Sequence, residues 1–108
     1  IQAIFDRIQR LCFVGHTHEP GVISEESVFT RPEEIDYRFE VPFGKKFIFN
    51  VSSVGQPRDK DNRACYATFD GEVVTWRRIP YPWQTTRDKI LAIPALGTKS
   101  AQLLEHGV

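Results

Sequence analysis

Gly15-His16-Thr17-His18 follows directly on a short apolar run, Leu11-Cys12-Phe13-Val14. A neutral imidazole is a good ligand for zinc, manganese or iron. In an extended segment, residues two apart face the same way with their α-carbons about 6.6 Å apart, and the paired ions of hydrolytic sites sit about 3.5–4 Å apart. Two same-facing histidines can therefore serve one ion each, provided that other residues complete both shells. Gly15 is expected to let the backbone turn steeply where the strand ends. The spacing alone is also compatible with two polar residues occupying a surface turn.

Other residues could add to that chemistry. Arg58 lies among glycine and proline in Gly55-Gln56-Pro57-Arg58-Asp59, and a planar guanidinium can grip two phosphate oxygens at once. It could equally form an exposed ion pair with Asp59 or Asp61. Asn50 and Ser53 stand where a strand ends and could bond the backbone beside a metal centre, or make ordinary turns. His106 closes the last helical stretch, where a protonated ring would meet the negative end of a helix, and reads as a surface residue. Trp76, Arg77, Arg78, Tyr81 and Trp83 interleave aromatic and basic groups, a pattern that can stack bases. Packing of a hairpin explains them more simply, with Trp76 or its neighbours buried and one or both arginines in water.

These residues need a scaffold. Ile1, Ile4, Phe5, Ile8 and Leu11 recur at helical spacing, predicting a helix that delivers the chain to residues 11–14, a strand buried on both faces. Residues 22–29 read as a second strand, 30–37 as a surface loop or one helical turn, and 45–51 as a third strand. A polar loop fills 52–62. Residues 63–69 and 72–79 flank Asp70-Gly71 and predict a hairpin with a tight two-residue turn. Thr85 or Thr86 can cap a helix carrying Ile90, Leu91 and Ile93, ended by Pro94. Thr98 can cap a last helix with Ala101, Leu103 and Leu104 inward and Gly107 as its left-handed terminator.

Composition sets the outer limits. The 108 residues are 41% hydrophobic and 26% charged, with 14 basic groups balanced by 14 acidic ones, as in an ordinary folded domain. Zero net charge supplies no global field for nucleic acid or an anionic membrane, so nucleic acid is expected only as a nucleotide substrate. No apolar run approaches the ~20 residues of a membrane-spanning helix, and no signal-peptide pattern opens the chain. The expectation is a cytoplasmic protein without a membrane partner. Cys12 and Cys65 each sit in an apolar run and are expected to be free, buried thiols. With no methionine and a start inside a helical pattern, the sequence is expected to be part of a longer protein.

Three stretches together carry a resemblance. Cys12-Phe13-Val14-Gly15-His16-Thr17-His18-Glu19-Pro20, then Asn50-Val51-Ser52-Ser53-Val54-Gly55-Gln56-Pro57-Arg58-Asp59, then Arg63-Ala64-Cys65-Tyr66-Ala67 resemble, in order and spacing, the C-terminal half of bacterial calcineurin-like metallophosphoesterases. The resemblance implies an α/β fold, with residues 1–108 forming the C-terminal part of one two-sheet α-β-β-α sandwich domain. It further implies metal-dependent hydrolysis of phosphomonoesters or phosphodiesters at a dinuclear site holding two divalent ions, manganese, iron or zinc. In that family the first histidine of Gly-His-x-His serves the second metal and the second histidine the first, roles that would fall to His16 and His18. The family's Asp-x-His, Gly-Asp-x-x-Asp and Gly-Asn-His motifs do not precede Gly15 here, so this segment alone is expected to be inactive. The alternative is a non-catalytic protein-binding scaffold with a metallophosphoesterase-like fold.

Overall fold

A computed structural model describes residues 2–108; Ile1, the first member of the helical stripe above, lies outside the described residues. The apolar stripe does not sustain a long helix. Helix α1 covers only Gln2–Phe5 and buries Phe5, because the Arg10 carbonyl already accepts the Phe47 N–H at 3.0 Å and Leu11 is drawn into strand β1, Leu11–Val14. The expected strand over 22–29 is instead a hairpin of β2, Gly21–Ser24, and β3, Phe29–Thr30. Ser24 folds the chain back: its carbonyl accepts the Ser27 N–H, its hydroxyl the Val28 N–H, and Ser27 takes a φ of 63°. The expected turn near residue 32 is a single 3-10 turn, Pro32–Ile35. Strand β4, Arg38–Glu40, follows it and is too short to leave a recognisable alternation.

Strand β5, Phe47–Asn50, is buried throughout because it is paired on both sides: parallel with β1 and antiparallel with β2. The first sheet thus runs β1-β5-β2-β3. Strand β1 is an edge of that sheet and not a strand covered on both faces; Phe13 is 43% exposed.

Strands β6, Ala64–Phe69, and β7, Val73–Ile79, form the expected hairpin and with β4 make a second sheet, β4-β7-β6. The register Phe69↔Val74 centres the tight turn on Gly71 and Glu72, one residue later than Asp70-Gly71. Gly71 takes the positive φ, 104°, that a primed turn needs at its first central position. Asp70 flanks it, its carboxylate accepting the Glu72 and Val73 N–H groups at 2.9 and 2.7 Å.

The two sheets face each other. Val22, Phe47 and Phe49 from the first meet Cys65, Val74 and Trp76 from the second in one buried cluster, and the Trp76 indole N–H donates across to the Asn50 carbonyl at 2.9 Å. The chain is thus mixed α/β with two packed sheets. Cys65 is buried and Cys12 half-buried, and both thiols are free. Burial raises the Cys65 thiol above its usual range, so it behaves as a small apolar group.

Helix α2, Trp83–Leu91, starts two residues before the expected threonine caps, after Pro82, and buries none of its residues. Ile93 lies beyond it and Pro94 opens a further 3-10 turn, Pro94–Leu96. Helix α3, Lys99–His106, buries Ala101 and Leu104. Thr98 precedes it without a side-chain cap, and Gly107 ends it in the left-handed region at φ 67°. No helix among the described residues is long and apolar enough to cross a membrane.

Candidate metal centre

The two histidines sit on the loop leaving β1, but its backbone is not extended there. The Thr17 N–H donates back to the Gly15 carbonyl at 2.9 Å, closing a three-residue turn around His16 at φ 68°. This is the rare, strained sense of the γ-turn. His18 also has a positive φ, 61°. The steep bend thus falls on the histidines, and Gly15 keeps an ordinary φ with open space where a Cβ would lie. Side chains held in this region cost about 1–3 kcal/mol each and persist where the surroundings over-determine them.

Those surroundings are visible. Asn50, at the end of β5, donates from Nδ2 to the Gly15 carbonyl at 3.0 Å and to Thr17 Oγ1 at 2.8 Å, while its Oδ1 accepts the Ser52 N–H at 2.9 Å. One buried amide therefore ties together both loops that leave the sheet. His18 is gripped three times by residues 52–58. Its carbonyl accepts the Ser52 hydroxyl at 3.0 Å and the Arg58 N–H at 3.0 Å, and its ring Nδ1 lies 2.7 Å from the Gln56 carbonyl. A carbonyl only accepts, so Nδ1 carries a proton, and Nε2 is the ring nitrogen left to offer a lone pair. Such a backbone partner fixes the tautomer and orientation of a metal-ligating histidine. His16 is exposed and borders an apolar cleft of about 450 Å³ between Ile4, Val14, Ile23, Phe29 and Ile48.

Ser53 lies one step further from the histidines. Its hydroxyl accepts the Gly55 and Gln56 N–H groups at 3.3 and 2.9 Å, shaping the stretch that offers the Gln56 carbonyl. Nothing in the sequence marks Ser52 or Gln56 as site residues. Gln56 contributes through its backbone, which no residue type signals, and Ser52 is indistinguishable by type from its neighbour.

Arg58 is exposed, and its guanidinium makes one long contact, 3.5 Å, to Gln56 Oε1. The alternative pairing with Asp59 or Asp61 does not form, because other arginines take those carboxylates. Arg63 binds Asp61 at 2.7 Å, which holds the Asp61 carboxyl below its usual range. Asp59 binds Arg78, and both side chains are 3% exposed. Of the two arginines beside Trp76, Arg77 reaches water, while Arg78 follows Val74 and Trp76 on the inward face of β7. Burial raises the Asp59 carboxyl above its usual range, against the pull of the Arg78 charge. His106 is exposed on the last turn of α3.

The fold is metallophosphoesterase-like. The structure is similar to the crystal structure of a metallophosphoesterase from Sphaerobacter thermophilus, with a TM-score of 0.82 and 33% identity over 97% of this chain and 46% of that one. In sequence, 60 residues are 48% identical to uncharacterized protein MJ0912 of Methanocaldococcus jannaschii, covering 56% of this chain and 24% of that protein. The chain thus spans under half the length of either. No family model matches it.

Proposed function

We propose that the protein to which these 108 residues belong hydrolyses phosphomonoesters or phosphodiesters at a centre of two divalent metal ions, and that this segment supplies its last two histidine ligands. The observation carrying this reading is the His18 ring, whose Nδ1 is committed to the Gln56 carbonyl and whose Nε2 is left to coordinate. Support comes from the strained turn at His16 and from the likeness to a solved metallophosphoesterase. On this reading His18 serves the first metal and His16 the second.

The donor set fits such a group in part. Two imidazoles suit manganese, iron or zinc, whereas a single zinc site ordinarily takes at least three protein ligands. Among the described residues no group of three or more His, Cys, Asp or Glu is placed to hold an ion. The remaining ligands are therefore assigned to chain outside this segment. Two divalent cations held there by His16, His18 and further ligands would supply activation of a water nucleophile and neutralisation of charge on phosphoryl oxygens. Asn50 fixes the loop that aims both histidines, and Gln56 fixes the His18 tautomer. Arg58 spends its N–H on His18 and keeps its guanidinium for phosphate oxygens.

The test is an aryl phosphate assay on the full-length protein at saturating manganese. His16→Ala and His18→Ala should each abolish most turnover. Full activity in the His16→Ala/His18→Ala double variant refutes the assignment, and wild-type protein that folds and binds no metal favours the scaffold alternative.

A further inference from the structure

The grip on His18 is only as firm as the segment that applies it, and that segment is anchored at one buried point. Asp59 directly follows Arg58, whose N–H holds the His18 carbonyl, and stands three residues after Gln56, whose carbonyl holds the ring. Its carboxylate meets Arg78 of β7, a strand fixed by Trp76 in the centre of the core. Arg78 also donates to the Arg63 carbonyl at 3.3 Å, and its Nε lies 3.7 Å from Asp61. One guanidinium thus touches both ends of the polar stretch 59–63.

Stability is a weak reason for such a pair. A buried ion pair loses hydration on both sides, and apolar residues of similar volume often replace it at no cost. This one is also incompletely satisfied: Asp59 Oδ1 and Arg78 Nε have no hydrogen-bond partner. What the pair does provide is a fixed, directional tie between the rigid strand and the backbone groups that orient His18.

We infer that Arg78 and Asp59 are a positioning pair for His18, holding the 52–58 loop so that the Gln56 carbonyl orients the imidazole and keeps its Nε2 free. This deepens the proposed function and rests on His18 being a metal ligand. A partner hydrogen-bonded to a ligating histidine, the place the Gln56 carbonyl holds here, typically changes metal affinity about 10–100-fold when lost, and the pair acts through that carbonyl.

The experiment uses the full-length protein carrying Arg78→Met/Asp59→Leu, which removes the pair without stranding a charge, alongside Arg78→Lys, which keeps the charge and loses the fork. Nitrogen-15 NMR of the metal-free protein reads the His18 tautomer, and manganese titration reads affinity. The expected result is a wild-type ring protonated at Nδ1, loss of that preference in the double variant with manganese affinity reduced roughly 10–100-fold, and a partial effect in Arg78→Lys. A double variant that keeps the wild-type tautomer and affinity overturns the inference. If the double variant does not fold, an unchanged tautomer in Arg78→Lys overturns it in the same way. Wild-type protein that binds no manganese sinks the metal reading, while the tautomer measurement still decides whether the pair positions His18.

Discussion

Replacing Asn50 with alanine tests the claim that one amide ties both site loops together. The substitution removes three hydrogen bonds: two donated to Gly15 and Thr17, and one accepted from Ser52. A typical bond contributes about 1 kcal/mol net, and a buried donor left without a partner costs about 1–3 kcal/mol. Thr17 is exposed, so water can replace part of what that hydroxyl loses. The Ser52 N–H has no such recourse, since Ser52 is 6% exposed. The expected loss is therefore about 3 kcal/mol, dominated by the Ser52 donor. Thr17→Val, which deletes only the exposed end of the network, should cost less than about 1 kcal/mol. Urea unfolding of the metal-free full-length protein measures both, with unchanged m-values confirming that stability alone has moved. An Asn50→Ala variant within about 0.5 kcal/mol of wild type, the ordinary range for an inconsequential surface change, would refute the tie.

Arg58→Ala should lower turnover while leaving metal content and thermal stability unchanged, with Arg58→Lys restoring part of the rate; unchanged kinetics would remove Arg58 from the site. Gly107→Ala should destabilise by about 2 kcal/mol or more, because a left-handed residue loses its freedom and the new Cβ would fall 2.7 Å from the Asp61 backbone; a calorimetric scan of the variant checks this. Asp70 is held below its usual range by the Val73 and Glu72 N–H groups. Its contribution is thus present above the unfolded pKa of about 3.9 and is lost as pH falls through the lower folded value. Acid unfolding of Asp70→Asn should show a shallower pH dependence there. Residues 1–108 expressed alone should show no appreciable phosphoesterase activity, and chelator-sensitive turnover by that segment would show the site to be misplaced.

Features set by neighbouring residues were the most legible in the sequence. The β6–β7 hairpin follows from alternating strands around Asp70 and Gly71, and even there the register is shifted by one residue. The His16–His18 loop falls at the end of β1 as its apolar run implies. What sequence did not reveal depends on partners far along the chain. The left-handed backbone at His16 and His18 is imposed by Asn50 and Ser52, against the local preference of a histidine. The Gln56 carbonyl is common to every residue type. Strand alternation put one of Arg77 and Arg78 on the face of Val74 and Trp76, but the carboxylate that Arg78 meets there, Asp59, lies 19 residues away in sequence. Strand β4 turns only Phe39 to the core, and one apolar residue carries no period.

The wide sequence separation of the contacts around His18 also bears on the order of folding. Its bonds to Gln56 and Ser52 span 38 and 34 residues, and Asn50 reaches 33 residues back to Thr17, whereas the β6–β7 hairpin closes across two. Closing a long loop costs entropy before any contact compensates, so non-local contacts form slowly. The hairpin is thus positioned to form early and supply Arg78 and Trp76 as a template. The histidine loop can reach its strained shape only after β5 and the loop that follows it are in place, making that shape one of the last features the chain acquires.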